Sequence, residues 1–154
     1  LIPGDLDGLN QPAIALSSPS VTGNNDDGLL TMEEVLKLRL NADWVILSAC
    51  NTGAAKGEGV EALSGLGQAF FYAGTRAMLV TMWPVETTSA KKITTGLFKL
   101  QKKNASLSRA RSLQRSILEL IDNANFKDQM SGIIVASYAH PMLWAPFIIV
   151  GDGG

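Results

Sequence analysis

Apolar and polar residues alternate along the chain in blocks that predict strands and helices in turn. Residues 44–47 form a short apolar run with a β-branched pair and polar neighbours, which is typical of a buried strand. A second apolar run covers residues 76–82 and stops at Trp83-Pro84, and a third covers residues 147–150. These three runs predict three strands of one sheet.

The first part of the chain predicts little regular structure. Residues 1–11 are typical of a loop, and residues 13–16 predict a short strand or ribbon ahead of a long exposed turn. The turn at residues 23–28 is acidic, but it lacks the alternating oxygen ligands and the terminal Glu of a calcium loop. We therefore expect no metal site in this turn.

Three segments predict helices from their caps and their periodicity. Thr31, with Glu34 three residues later, forms a capping box that begins a short helix ending near Asn41. Residues 88–102 and residues 106–121 each carry apolar side chains at helical spacing, so each predicts an amphipathic helix.

A fourth helix follows the glycine-rich stretch after the first strand. Apolar residues recur at helical spacing from Val60 to Phe71, and Gly74 is placed to end this helix in the left-handed conformation. Gly65 and Gly67 each cost such a helix about 1 kcal/mol relative to Ala. Their presence predicts a helix that lies close against a sheet.

The order strand, helix, strand, helix, helix, strand predicts an α/β fold with a parallel sheet flanked by helices. The chain of 154 residues is long enough for one domain with a real core, and it contains no repeat or internal linker. We therefore expect residues 1–154 to form one domain, or most of one. The chain does not begin with Met, which predicts that it starts inside a longer protein.

Composition narrows the classes of function. A formal net charge of −1 gives no general argument for binding to nucleic acid or to an anionic membrane. No apolar run approaches the ~18 to 20 residues that a spanning helix needs, and no signal peptide is visible. A single cysteine cannot form an internal disulfide, so the fold suits a reducing cytosol and a cytoplasmic location is expected.

Cys50, the only cysteine, falls where the first predicted strand should end. Ligands of open α/β sheets bind beyond the carboxyl ends of the strands, so a nucleophile there is well placed for chemistry. A free thiol has a pKa near ~8.5, and a catalytic one needs a nearby base or a helix dipole. The loop at residues 51–53 would offer backbone N–H groups to an oxyanion. The alternative, that Cys50 is simply a small buried hydrophobic residue, stays open at this point.

His140 is the only histidine and lies just before the last predicted strand. It is a candidate base for Cys50, although a loop histidine before proline is more often structural, and only geometry decides between the two roles.

Two binding hypotheses have weaker support. Gly57, Gly59 and Ala62 match a relaxed dinucleotide-binding pattern, but residues 49–56 separate them from the strand, and no Gly-Lys-Ser/Thr of a phosphate-binding loop exists. Residues 91–115 are distinctly basic, but they lack the interleaved aromatic residues of a nucleic-acid-binding module. A solvated helix surface is the expected explanation for these charges.

Several strings occur in an order that resembles a known family. They are LSACxTG ending at Gly53, GEG at residues 57–59, FxxAG ending at Gly74, and MWPV at residues 82–85, with DGLLTMEEVLKLRL before them and HPMLWAPFIIVGD after them. From about residue 9 to residue 152 the chain resembles the CHAT domain. This is the caspase-like domain found with tetratricopeptide repeats in bacteria, related to caspases, separases and gingipains.

The resemblance implies a caspase-like three-layer fold, a mostly parallel sheet flanked by helices, whose first strands are missing from this chain. It implies that Cys50 is the nucleophile of a cysteine endopeptidase, with its backbone N–H as one oxyanion donor and with no cofactor. The loop after the next strand would line the substrate cleft with Trp83, Glu86 and Thr87. Family members often carry two acids after Trp-Pro-Val, and the second holds a basic substrate side chain. Here the second position is Thr87, so a preference for cleavage after Arg or Lys is not carried over.

The family's general base is the histidine of a His-Gly pair at the end of the preceding strand. That pair would lie directly before a segment like residues 1–10, so the resemblance implies a base upstream of this chain or on a separate chain, and an inactive fragment. His140 matches a family position that is not catalytic. The expected partners are a protein or peptide substrate and the upstream part of the same protein, with tetratricopeptide repeats. The alternative is a non-catalytic scaffold or signalling module that kept the fold.

Overall fold

A computed structural model describes residues 5–23, 25–47, 58–122, 125–127 and 134–154. Its elements in chain order are β1 (Ala13–Ala15), α1 (Pro19–Thr22), β2 (Leu29–Thr31), α2 (Met32–Lys37), β3 (Val45–Leu47), α3 (Glu58–Tyr72), β4 (Ala77–Thr81), α4 (Thr87–Lys103), α5 (Arg109–Asp122), β5 (Asn125–Lys127), β6 (Ile134–Ser137), a 3₁₀ turn (Pro141–Leu143) and β7 (Phe147–Gly151). The three predicted strands of the main sheet and the four predicted helices are all present.

The central sheet has the strand order β3-β4-β7. Strands β3 and β4 are parallel, with Val45 opposite Met78 and Leu47 opposite Val80. Strand β7 runs antiparallel to β4, with Phe147 opposite Thr81. The order of elements predicted a parallel sheet and the resemblance implied a mostly parallel one; among the described strands of this sheet, one pair is parallel and one is antiparallel. Helices α4 and α5 pack along each other, and such a hairpin returns the chain toward the edge that it left, where β7 begins.

Helices cover both faces of the sheet, which is the arrangement expected for a buried parallel pair. On one face α2 and α3 pack on Met78 of β4, and on the other face α4 and α5 pack on Leu79. Successive side chains of a strand point to opposite faces, so this one strand contributes to both apolar clusters. The fold is therefore α/β with three layers, as the sequence predicted.

The predicted capping box begins α2. Thr31 Oγ1 accepts a hydrogen bond from Glu34 N at 3.3 Å, and Glu34 Oε2 accepts from Thr31 N at 2.8 Å. The helix ends at Lys37, earlier than the predicted end near Asn41. Beyond it the chain turns extended, and Leu40 N donates to the carbonyl of Ala73 at the end of α3. A contact between distant segments thus replaces the last helical turn.

The glycines of α3 lie where close packing requires them. A Cβ on Gly67 would come within 3.1 Å of the Met78 side chain in β4, so this part of the helix does lie close on the sheet. Gly65 instead faces Met32 of α2. Gly74 has φ +105° and lies against the carbonyl of Leu40, so no larger residue fits there.

Two short antiparallel pairs lie outside the central sheet. Strand β1 pairs with β2, and β5 pairs with β6 across an irregular register. Within the part of the chain that the structure describes, no helix combines the length and the apolar character needed to cross a membrane.

Candidate active site

One edge of the central sheet gathers three chain segments. Because β3 and β4 are parallel, both end at this edge, at Leu47 and Thr81. Strand β7 is antiparallel and begins there at Phe147. We call this side of the sheet the carboxyl edge. Two described segments lie beyond it: residues 82–86, which follow β4, and residues 138–146, which precede β7.

Cys50 and the loop that follows it, residues 51–57, lie outside the described residues. The last described residue before them is Leu47, at the carboxyl edge, and the chain is described again from Glu58, where α3 begins. The roles predicted for Cys50 therefore stay predictions. The other three predicted site residues, Trp83, Glu86 and Thr87, are described, and all three follow β4 at the carboxyl edge.

Trp83 connects two loops of the carboxyl edge. Its indole is half-buried, and Nε1 donates a hydrogen bond to the carbonyl of Met142 at 3.3 Å. The neighbouring Met82 N donates to the carbonyl of Pro146 at 3.0 Å. The segment after β4 is thereby hydrogen-bonded to the segment that leads into β7. These bonds fix the positions of the two segments at the carboxyl edge.

Glu86 is the N-cap of α4, a role that the sequence did not reveal because Ser, Thr, Asp and Asn are the usual caps. Its Oε1 accepts from Thr88 N at 2.6 Å, and its Oε2 accepts from Ser89 N at 2.7 Å and Ser89 Oγ at 3.0 Å. Partial burial acts to raise the pKa of Glu86, but these hydrogen bonds outweigh it and hold the pKa below the usual range. The carboxylate is thus ionised at neutral pH and both of its oxygens are engaged.

Thr87 is the first residue of α4, and its side chain is exposed. It lies at one end of a largely apolar groove of about 520 Å³ that runs between β3 and α4. We call it the α4 groove; it is lined by Ile46, Thr87, Ala90, Lys91, Thr94, Thr95 and Phe98. The groove was not predicted, because its walls come from two segments that are distant in sequence.

His140 also lies near the carboxyl edge, as the N-cap of the 3₁₀ turn that precedes β7. Met142 N donates to His140 Nδ1 at 3.2 Å. A neutral imidazole that accepts a hydrogen bond at Nδ1 carries its proton on Nε2. Nε2 then has no free lone pair with which to take a proton from a thiol. The geometry gives His140 a capping role instead of the role of base.

The basic stretch at residues 91–115 is partly structural. Arg109, whose side chain is only 13% exposed, pairs with Asp152 at 3.0 Å and with Asp43 at 3.5 Å. Lys92 lies over the ring of Tyr138, 4.1 Å from its centre. These cations hold helices to the sheet and to the segment before the 3₁₀ turn, so they do not form one free cationic face. The described residues hold no group of three or more His, Cys, Asp or Glu side chains suited to a metal ion.

A three-layer α/β domain with loops gathered at one edge of its sheet is consistent with a caspase-like fold. The family model of the CHAT domain matches residues 5–152, nearly the whole chain. The chain therefore belongs to the CHAT domain family, a caspase-like family, as its sequence motifs indicated. Comparisons with curated proteins and with solved structures gave no match.

Proposed function

We propose that this chain is the nucleophile-bearing part of a caspase-like cysteine endopeptidase, with Cys50 as the nucleophile. The observation that carries the proposal is the place where β3 ends. This strand delivers the chain to the carboxyl edge at Leu47, beside the segment with Trp83, Glu86 and Thr87.

Covalent geometry limits how far Cys50 can be from this edge. It follows Leu47 by three residues, and three residues span at most about 11 Å. Leu47 is paired with Val80, and β4 ends one residue later at Thr81. This limit supports the proposal that Cys50 acts at the carboxyl edge.

The proposed reaction is acyl transfer through a thioester. The Cys50 thiolate attacks the peptide carbonyl carbon, and the backbone N–H of Cys50 is one donor to the oxyanion that forms. A histidine protonates the leaving amine as the C–N bond breaks. Water then hydrolyses the thioester, which releases the carboxylic acid and regenerates the thiol.

The histidine of this dyad must come from outside these residues. The sequence contains one histidine, His140, and its Nδ1 caps the 3₁₀ turn. We place the base in a preceding segment of the same protein or on a separate chain, so the 154 residues alone should hydrolyse no peptide.

The test uses the full-length protein and a peptide library, with and without Cys50→Ala. We expect the substitution to lower kcat/KM by at least about a thousandfold, because it removes the group that forms the covalent intermediate. Cleavage that survives Cys50→Ala would rule the proposal out. Measured turnover by the 154-residue chain alone would show that the base is wrongly assigned.

A second candidate is a non-catalytic scaffold or signalling module. It is favoured by the same observation on His140, because the one histidine of these 154 residues is held as the cap of the 3₁₀ turn. A full-length protein that is folded but cleaves nothing under any condition, with Cys50 unreactive toward electrophilic peptides, would support this candidate.

A further inference from the structure

The hairpin of α4 and α5 is far more basic than the rest of the chain. Residues 87–122 hold eight Lys and Arg residues against two acids, although the whole chain has a formal net charge of −1. A helix surface that only needs to be solvated usually mixes charges of both signs. The imbalance therefore indicates a surface that attracts acidic ligands.

Two cations of the hairpin are engaged inside the domain, but four others are exposed on its outer side. These four are Lys99, Lys103, Arg111 and Arg115. None of them has a carboxylate partner among the described residues. Within each helix the two cations are four residues apart, a spacing at which like charges repel each other. An acidic ligand would relieve this repulsion.

The packing of the two helices brings these cations together. A Cβ on Gly96 of α4 would collide with Ser116 of α5, so the helices are in close contact here. Helices joined by a short turn run antiparallel, so the cations that follow Gly96 lie at the same level along the hairpin as those that precede Ser116. Beside this contact lies a cleft of about 400 Å³, which Lys99 lines together with Gly96 and Ser116.

An apolar side chain lies among these charges. Leu118 is 50% exposed and follows Arg111 by seven residues and Arg115 by three, so the three share one face of α5. An acidic peptide with an apolar residue would cover Leu118, whereas a phosphate backbone has nothing apolar to place there. The only aromatic residue of α4 and α5 is Phe98, whose ring contacts Trp44 beside β3, so the surface offers no ring on which a base could stack. These features favour a protein ligand over a nucleic acid.

We propose that an acidic amphipathic segment of a partner protein docks on the surface formed by Lys99, Lys103, Arg111, Arg115 and Leu118, which we call the hairpin surface. Its Asp or Glu side chains pair with the four cations, and an apolar side chain covers the leucine. On α4 this surface begins about 18 Å along the helix from Thr87 at the carboxyl edge. The inference therefore does not depend on the proposed peptidase function.

The experiment measures the binding of labelled probes to the full-length protein by fluorescence anisotropy. The acidic probe is a peptide of about 15 residues with Glu and Leu at helical spacing. The comparison probes are the same peptide with every Glu replaced by Gln, and a single-stranded poly-uridylate of similar charge. We expect the acidic peptide to bind at least about tenfold more tightly than the Gln peptide, and this ratio to fall as salt is added, because salt screens the charges.

Variants locate the binding on the hairpin surface. Lys99→Gln combined with Arg115→Gln should weaken binding of the acidic peptide by about fivefold or more. The matched control is Lys37→Gln combined with Arg39→Gln, which removes two exposed cations in and just after α2, on the opposite face of the sheet, and should change the affinity less than about twofold. Leu118→Gln should weaken binding of the acidic peptide by about threefold or more and leave binding of poly-uridylate unchanged.

Several results would overturn the inference. It fails if the acidic peptide binds no better than the Gln peptide, or if the Lys99 and Arg115 variant binds it as well as the unaltered protein does. Tighter binding of poly-uridylate than of the acidic peptide would overturn it in favour of a nucleic-acid surface. Self-association that the same double substitution abolishes, without binding of the acidic peptide, would overturn it in favour of a second copy of this chain. None of these measurements requires peptide cleavage, so each of these results leaves the proposed function standing.

Discussion

Removing the side chain of Glu86 should measure how firmly the start of α4 is held. Glu86→Ala deletes the acceptor of Thr88 N, Ser89 N and Ser89 Oγ. Loss of an N-cap costs about 0.5–2 kcal/mol. We expect the upper end, about 2 kcal/mol, because Ser89 is fully buried and its donors are left without a partner. For a domain of this size that corresponds to a fall in Tm of about 4–8 °C.

Urea unfolding followed by circular dichroism gives the free energy of unfolding, and pH gives an independent check. The pKa of Glu86 in the folded protein is lowered from 4.5. The ionised carboxylate therefore contributes fully to the free energy of unfolding above about pH 4.5, and this contribution is lost as the pH falls through the folded-state pKa. The stability gap between the unaltered protein and Glu86→Ala should therefore shrink below about pH 4.5. Glu33→Ala is the control, because it removes a carboxylate whose side-chain partner is the exposed Lys37. If Glu86→Ala is no more destabilising than Glu33→Ala, the reasoning on this cap fails.

Three further experiments test other parts of the structure. Gly96→Ala should destabilise the protein by about 1–3 kcal/mol, because the new Cβ would collide with Ser116 Oγ. In a double-mutant cycle measured by urea unfolding, Ser116→Ala should recover part of that loss. Gly74→Ala should cost more than 1 kcal/mol by the same assay, because the position has positive φ and faces the Leu40 carbonyl; a neutral result would refute the close approach. His140→Ala should lower Tm slightly through loss of its cap but change kcat/KM of the full-length protein less than threefold; a hundredfold loss would mean that His140 is the base.

The elements that the sequence predicted correctly are those with a local signal. The capping box at Thr31 and Glu34 fixes the start of α2 through neighbouring residues, and Gly74 marks the end of α3 by a conformation that few other residues adopt. The apolar run at residues 13–16 predicted a short strand or ribbon, and β1 lies there. Strand β2 and the β5–β6 pair carry no such signal, because strands of three or four residues show little alternation of polar and apolar positions. The earlier end of α2 was missed because it depends on the hydrogen bond of Leu40 with Ala73 at the end of α3, a residue that is distant in sequence.

The candidate site was proposed from the family resemblance and not from local sequence signals. The resemblance implied that the loop from Trp83 to Thr87 lines a substrate cleft, and the structure shows that this loop follows β4 directly. Nothing in the sequence indicated that Glu86 caps α4, because glutamate is not a preferred N-cap and the buried Ser89 is recognisable only in the fold. The antiparallel direction of β7 could have been deduced from the two consecutive helices before it, and that deduction would also have brought His140 to the same edge.

Covalent trapping of the thiol tests the central claim most directly. The full-length protein is treated with a peptidyl chloromethyl ketone, from which the thiolate displaces chloride to form a thioether, and the adduct is mapped by mass spectrometry while peptide cleavage is followed. The account predicts one equivalent of thioether on Cys50 and a loss of cleavage in proportion to its formation. Complete inactivation with Cys50 unmodified, or full cleavage with Cys50 fully modified, would contradict it.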